Sequence, residues 1–331
     1  MLEGVIVLDL TTLLPGPHAT SRLAEMGATI WKVEPPGGDP ARYTHPLEDD
    51  LGLVFKFHSR GKTLYNLNLK DSGDRGQFLQ LVRQADVLIE GFRPEVVERL
   101  NIDYRRLREI NPALIYCALT GYGQQGEWAN HAGHDINYLA LSGMLSQHID
   151  PNGRPILPTV QWADLVGAET AAQQILGALV ARGKTGRGQF LDISMMHALR
   201  QLLAMHDAIE ANCGFDRGVP DISGMTVSYH LYPTQDQRWV ALGALEPKFW
   251  AVFCDAISHP EWKEQHMSTA QKDNPVYTEL SRLFSSHPLS YWTNFSRRVD
   301  CCLAPVLTLS ESQDRSSSAS KEETSHGSCH N

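Results

Sequence analysis

The feature that most constrains this chain is an alternation that runs through its first 120 residues. Short apolar runs of strand length take turns with segments of helical spacing. Gly4-Val5-Ile6-Val7-Leu8-Asp9-Leu10 reads as a buried strand. Pro15-Gly16-Pro17 then opens a helix that carries Leu23 and Met26 on its apolar face and stops at Gly27. Further strands are predicted at 28–33, at 64–69 by strict alternation, at 87–89 and at 114–119, with helices between. This order predicts an α/β fold with a mostly parallel sheet covered on both faces.

Beyond it the spacing is helical over 135–144 and 164–182. Ala168, Ala171, Ala172, Ile175, Leu176, Ala178 and Leu179 form a small-residue face. A strand at 189–193 and another helix follow. With 331 residues and 42% hydrophobic content, two domains are expected. The reading is a large Rossmann-like domain over 1–212, a Gly- and Asp-rich linker over 213–224, and a smaller α/β domain over 225–309. Residues 310–331 contain no Val, Ile, Leu, Met, Phe, Trp or Tyr, so they are expected to be a disordered polar tail.

Charge and cysteine narrow the function classes. The net charge is −9, which disfavours nucleic acid as a partner. Six cysteines show no CxxC pair, so neither a zinc site nor a secreted disulfide framework is expected. No run reaches the roughly 18 apolar residues of a membrane span. The N-terminus lacks a basic leader region. A cytoplasmic location is the expectation.

Several motifs carry candidate chemistry. Gly121-Tyr122-Gly123-Gln124-Gln125-Gly126 matches a dinucleotide fingerprint, but residues 127–131 have no apolar helical face and Gly133 interrupts them. A loop over a site is the better reading. Cations gather at Arg42, Lys56, Arg60, Lys62, Lys70, Arg93 and Arg99, around strand ends where a phosphorylated ligand would bind. Each is otherwise an ordinary solvated side chain. His134 lies near a helix start, a position that favours a neutral imidazole; it is either a base or a surface or capping histidine. Asp164 opens the long small-faced helix, either as its N-cap or as a general acid/base or nucleophile. Glu246 starts a helix in the second domain.

Taken together, these stretches resemble the family III CoA-transferase and acyl-CoA racemase superfamily. The likeness lies in Leu14-Pro15-Gly16-Pro17, Lys32 to Arg42, Arg60-Gly61-Lys62 with Leu67-Asn68-Leu69-Lys70, Glu90-Gly91-Phe92-Arg93-Pro94, Leu119 to Gln124, and Lys184 to Gln189. It covers roughly 1–310. Gly133-His134-Asp135-Ile136-Asn137-Tyr138 is most similar to the α-methylacyl-CoA racemases. The resemblance implies His134 and Asp164 as catalytic residues, with Glu246 near the active site across an interlocked homodimer. It further implies that Arg42, Leu67, Asn68, Leu69, Lys70, Gly91, Phe92, Arg93, Arg99, Gly133, Asp135, Ile136, Asn137 and Tyr138 contact an acyl-CoA thioester. No metal or bound redox cofactor is implied, coenzyme A being part of the substrate. The leading expectation is racemisation of 2-methylacyl-CoA. The alternatives are CoA transfer through an aspartyl-CoA intermediate on Asp164, and an inactive CoA-binding paralogue whose polar tail replaces a returning C-terminal segment.

Overall fold

The structure, a computed structural model, describes residues 1–150 and 152–313. The architecture is α/β, and the chain divides into two compact units, Met1–Met205 and a second from His206 onward.

The strands of the first unit are β1 (Ile6–Asp9), β2 (Thr29–Glu34), the short β3 (Leu47–Glu48) and β4 (Leu51–Gly52), β5 (Thr63–Asn66), β6 (Val87–Glu90), β7 (Ile115–Thr120) and β8 (Phe190–Ser194). Six of them form one sheet in the order β5-β2-β1-β6-β7-β8. Every pairing in it is parallel, while β3 and β4 make a separate antiparallel ladder. Every residue of β6 and β7 is buried, which is why they read as unbroken apolar runs rather than as alternation. The chain first moves outward from β1 to β2 and β5, then returns to place β6 on the other side of β1. That reversal is the switch point at which open α/β sheets bind ligands, beyond the strand carboxyl ends.

The expected strand over 64–69 ends earlier, at Asn66. Its partner β2 runs out at Glu34, and the next donor in that parallel register would be residue 36, a proline with no N–H. Leu67 still donates to the Glu34 carbonyl at 2.9 Å, but the Asn68 N–H turns to the Asp74 carboxylate at 2.7 Å. Residues 67–70 therefore leave the sheet just where the binding loops begin.

The helices of this unit are α1 (Pro15–Glu25), α2 (Leu53–His58), α3 (Ser72–Gln84), α4 (Val96–Leu100), α5 (Tyr104–Ile110), α6 (Asp135–Leu141), α7 (Met144–Gln147), α8 (Trp162–Thr185) and α9 (Met195–Leu202). The small face of α8 is buried, as its spacing predicts: Ala168, Ala171, Ala172, Ile175 and Ala178. Small side chains let the helix lie close against α1, α9 and β7. It ends at Gly186, whose φ of 67° suits the left-handed cap and whose N–H reaches the Arg182 carbonyl at 2.8 Å.

α10 (Ala204–Cys213) lies across the division between the units. The expected linker at 213–224 holds a single 3-10 turn, Pro220–Ile222. Next come β9 (Tyr229–Pro233) and β10 (Trp239–Gly243), α11 (Pro247–Ala256), α12 (Pro275–Ser285), α13 (Leu289–Arg298) and β11 (Leu303–Pro305). The strands pair antiparallel in the order β11-β10-β9. Their inner face and the three helices bury Trp250, Phe253, Phe284 and Trp292, each worth roughly 1.5–3 kcal/mol. Both indoles have partners: Trp250 Nε1 donates to the Trp262 carbonyl at 2.8 Å and Trp292 Nε1 to that of Phe284 at 2.9 Å.

Of the expected polar tail, residues 310–313 are helical, and Glu311 accepts from both Arg238 and the Thr308 N–H. The rest, 314–331, lies outside the described residues. Among the described residues no helix is long and apolar enough to cross a membrane. No group of three or more His, Cys, Asp or Glu among them could hold a metal ion.

Candidate active site

At the switch point a cavity of about 280 Å³ opens beyond the strand ends. Its walls are the loops after β1, β6 and β7 and the starts of α6 and α8. His134 and Asp164, thirty residues apart in sequence, both line it, together with Gly91, Phe92 and Arg93. A groove of about 630 Å³ runs beside it, lined by Leu67, Asn68, Leu69, Lys70 and Arg99. Thr12 and Phe92 line both spaces, so cavity and groove share a wall.

Asp164 stands in the first turn of α8, but it does not cap the helix. The N-cap residue is Gln161, whose side chain makes no capping bond. The cap comes instead from Asp135, whose Oδ1 accepts from the Ala163 N–H at 2.7 Å and the Asp164 N–H at 3.2 Å. This leaves the Asp164 carboxyl directed to the cavity. Burial above all, and then the negative charge of Asp135, push it up to about 7. A helix N-terminus favours an anion by only about 0.3–1 kcal/mol, too little to offset the two together.

His134 is the N-cap residue of α6, in extended conformation. Its backbone N–H donates to Asn137 Oδ1 at 3.0 Å, half of a capping box. Tyr138 closes the same turn by donating from its hydroxyl to the Gly133 carbonyl at 2.6 Å. The Tyr138 ring fills the space beside Gly121 and Gly133. A Cβ on Gly121 would sit 2.3 Å from the ring, and one on Gly133 would sit 2.6 Å from the Tyr122 hydroxyl. These glycines are needed for close approach, not for a pyrophosphate. No helix follows the Gly121–Gly126 stretch until α6, so it is a loop over the site, pinned by the Gln124 N–H to Asp192 of β8 at 3.1 Å.

The expected contacts therefore separate. Leu67, Asn68, Leu69, Lys70, Phe92 and Arg99 line the groove; Gly91, Phe92, Arg93, Gly133, His134, Tyr138 and Asp164 line the cavity. Asp135 and Asn137 build the helix starts, and Ile136 is exposed. Arg42 lines neither space: it pairs with Glu34 at 2.6 Å and stacks on Phe55 at 3.9 Å. Lys56 pairs with Glu48 and Asp49. Glu246 is the N-cap residue of α11 in the second unit, as its sequence position predicts.

One wall was not read from the sequence, the loop after β1. It stands on buried charge. Asp9 and Lys62 pair at 3.3 Å, and Lys32 and Asp39 at 2.9 Å. Lys32 also donates to the Thr11 carbonyl at 2.8 Å, and Asp39 accepts from the Leu13 N–H at 3.0 Å. Leu13 is thereby held at a φ of 64°, a conformation that costs a branched residue energy and persists because its surroundings fix it. Burial pushes Asp9 upward, but Lys32, Lys62 and the Thr11 and Thr20 hydroxyls outweigh it and bring it down to about 2. Across the switch point, Glu90 at the end of β6 accepts from the Phe92 N–H at 2.6 Å. Burial pushes that carboxyl up to about 8, so it holds Phe92 as a neutral acid.

A parallel sheet with a cavity and a groove at its switch point, and a carboxyl facing the cavity from a helix start, is an arrangement that can bind a ligand and present one group to it as acid, base or nucleophile. Comparison with known proteins makes the class specific: the chain matches CoA-transferase family III over residues 2–326 and belongs to that family. The match passes Ser310, the point where the motif likeness ends. The chain is 33% identical over 330 residues to acetyl-CoA:oxalate CoA-transferase of Acetobacter aceti, covering 96% of this chain and 84% of the relative. It is 31% identical over 320 residues to human alpha-methylacyl-CoA racemase, covering 94% and 78%. The crystal structure of Rv3272 from M. tuberculosis superimposes with a TM-score of 0.81 at 27% identity, covering 95% of this chain and 84% of that one. Transferase and racemase relatives stand at nearly equal identity, so the likeness supports the superfamily and does not single out the racemases.

Proposed function

We propose that the chain is a CoA-transferase that moves CoA between carboxylic acids through a covalent intermediate on Asp164. The observation that carries this reading is the placement of Asp164, a carboxyl inside the cavity that adjoins the groove. The groove suits the CoA moiety, with Lys70 and Arg99 as cations for its phosphates. The cavity suits the thioester. The 33% identity to a transferase over almost the whole chain supports the same reading.

The steps follow from the chemistry. The Asp164 carboxylate attacks the thioester carbonyl; the C–S bond breaks and CoA leaves as thiolate. The resulting mixed anhydride is opened by that thiolate at the aspartyl carbonyl, which releases the donor acid as carboxylate and leaves Asp164 as a CoA thioester. An acceptor carboxylate repeats the two steps in reverse and restores Asp164. Oxyanions form at each addition. The first-turn N–H groups of α8 at 163 and 164 are taken by Asp135, so donors fall to the start of α6. Only ionised Asp164 attacks, so kcat/KM should rise with pH through about 7.

A second reading, racemisation of a 2-methylacyl-CoA, is favoured by one observation: His134 lines the same cavity as Asp164. Two acid/base groups at one cavity can remove the α-proton on one face and return it on the other, each worth on the order of 10²–10⁴-fold. Interlocked dimerisation, with Glu246 reaching a partner's site, belongs to both readings, as does an intracellular setting where CoA esters are found. The readings part in one experiment. A 2-methylacyl-CoA is incubated in D₂O without an acceptor acid, then with one. The transferase reading expects no α-deuterium, and CoA transfer once acid is added, in wild type and in His134→Ala alike. Deuterium uptake that is lost in His134→Ala, with no transfer, makes the protein a racemase.

A further inference from the structure

We propose that Asp135 is the positioning residue of this site: its carboxylate clasps the start of α8 to the start of α6 and so holds Asp164 in place relative to His134. The proposal rests on the reading of Asp164 as the reacting carboxylate. It begins from a cap that is out of place. α8 has no local capping side chain, since Gln161 makes no such bond. A 24-residue helix with its first turn at a cavity wall nonetheless needs its free N–H groups satisfied. Asp135 supplies the acceptor from 28 and 29 residues away, with one oxygen serving both Ala163 and Asp164. Asp135 is also the first residue of α6 and directly follows His134.

Both ends of the clasp are themselves fixed. α6 is held by Asn137 on the His134 N–H and by Tyr138 on the Gly133 carbonyl. α8 is held by its small face against α1, α9 and β7. One short bridge therefore ties two rigid elements where each presents its functional side chain.

The clasp also sets a charge beside Asp164. The titratable and charged groups that line the cavity with Asp164 are His134 and Tyr138 at the start of α6, Tyr122 and His131 from the loop after β7 and Arg93 from the loop after β6; Met195 of α9 is apolar. Behind them stands the Asp135 carboxylate, whose negative charge opposes ionisation of Asp164, second to burial. Position and charge can be separated by substitution. Asp135→Asn keeps an oxygen to accept from both N–H groups and removes the charge. Asp135→Ala removes both.

The test measures kcat and the pH profile of kcat/KM for wild type, Asp135→Asn, Asp135→Ala and Asp164→Ala, using CoA transfer and α-deuterium exchange as readouts. Asp135→Asn, which keeps the bridging oxygen, should retain a kcat at its pH optimum at least tenfold above that of Asp135→Ala. Its midpoint should fall below the wild-type value of about 7 yet stay above 3.8, because burial remains. A fall of one pH unit makes it about tenfold more active than wild type on the acid limb. Asp135→Ala should share the lowered midpoint and lose about 10²-fold in kcat through misplacement. An Asn midpoint equal to wild type, or an Ala variant with full kcat, overturns the clasp. Should Asp164→Ala keep full activity, it is the reading of Asp164 that fails, whatever the Asp135 variants do.

Discussion

Two carboxylates at the carboxyl edge of one sheet, one buried and one half-buried, have opposite fates. Asp9, at the end of β1, is brought down to about 2; Asp164, at the start of α8, is pushed up to about 7. Burial raises both. The difference lies in what faces them. Asp9 has Lys62 at 3.3 Å, Lys32 nearby and two threonine hydroxyls, Thr11 at 2.5 Å and Thr20 at 2.6 Å. Asp164 has another carboxylate for a neighbour. A group that shapes a wall is given counter-charges until it is inert. Asp164, which the proposed function makes the reacting group, is half-buried with its charge uncompensated, poised where a small change in surroundings alters its ionisation.

The contrast is broken most severely at Asp164 itself. Asp164→Ala should lower turnover by about 10²–10⁴-fold or more while leaving the thermal midpoint near that of wild type, since its backbone N–H keeps the Asp135 bond; steady-state kinetics beside a melting curve check both. The reverse holds at Asp9's partner. Lys62→Met leaves Asp9 with its nearest cation gone and should cost about 3–5 kcal/mol of stability, read in denaturant unfolding at pH 7.

Glu90 sharpens the comparison as an uncharged third case. Its folded value of about 8 lies above the ordinary 4.5. Its stabilising contribution is full below 4.5 and is lost as pH rises towards 8, where the unfolded chain ionises first. Glu90→Gln keeps an acceptor for Phe92 and should gain stability over wild type by a few kcal/mol across that window, as unfolding at a series of pH values will show. The smallest effect is the acid limb of Asp9. Its folded value lies below the ordinary 3.8, so its contribution is present above 3.8 and is lost as pH falls towards 2. Asp9→Asn should flatten acid unfolding by about 2–3 kcal/mol over that range.

Much of this was legible in the chain. Apolar runs, and alternation at β5, mark all six strands of the parallel sheet, and alanine spacing marks the buried face of α8. The motif resemblance brought His134 and Asp164 to notice, and the fold sets both on one cavity. What escaped reading depends on distant partners. A lysine in sequence looks solvated, yet Lys32 and Lys62 are buried because Asp39 and Asp9 face them. Alternation through Leu69 predicts a strand, but the ladder needs an N–H that Pro36 lacks. Asp164 reads as the natural cap of α8, and nothing local in the sequence tells that Asp135 already fills that place.

The proposed CoA transfer requires Asp164 to become covalently attached to CoA. Incubation with an acyl-CoA, quenching with hydroxylamine and peptide mass analysis read this directly. A hydroxamate on Asp164, formed only when acyl-CoA is present, is the expected result. An unmodified Asp164 in a preparation that is exchanging α-protons would contradict it and leave proton transfer as the chemistry of the site.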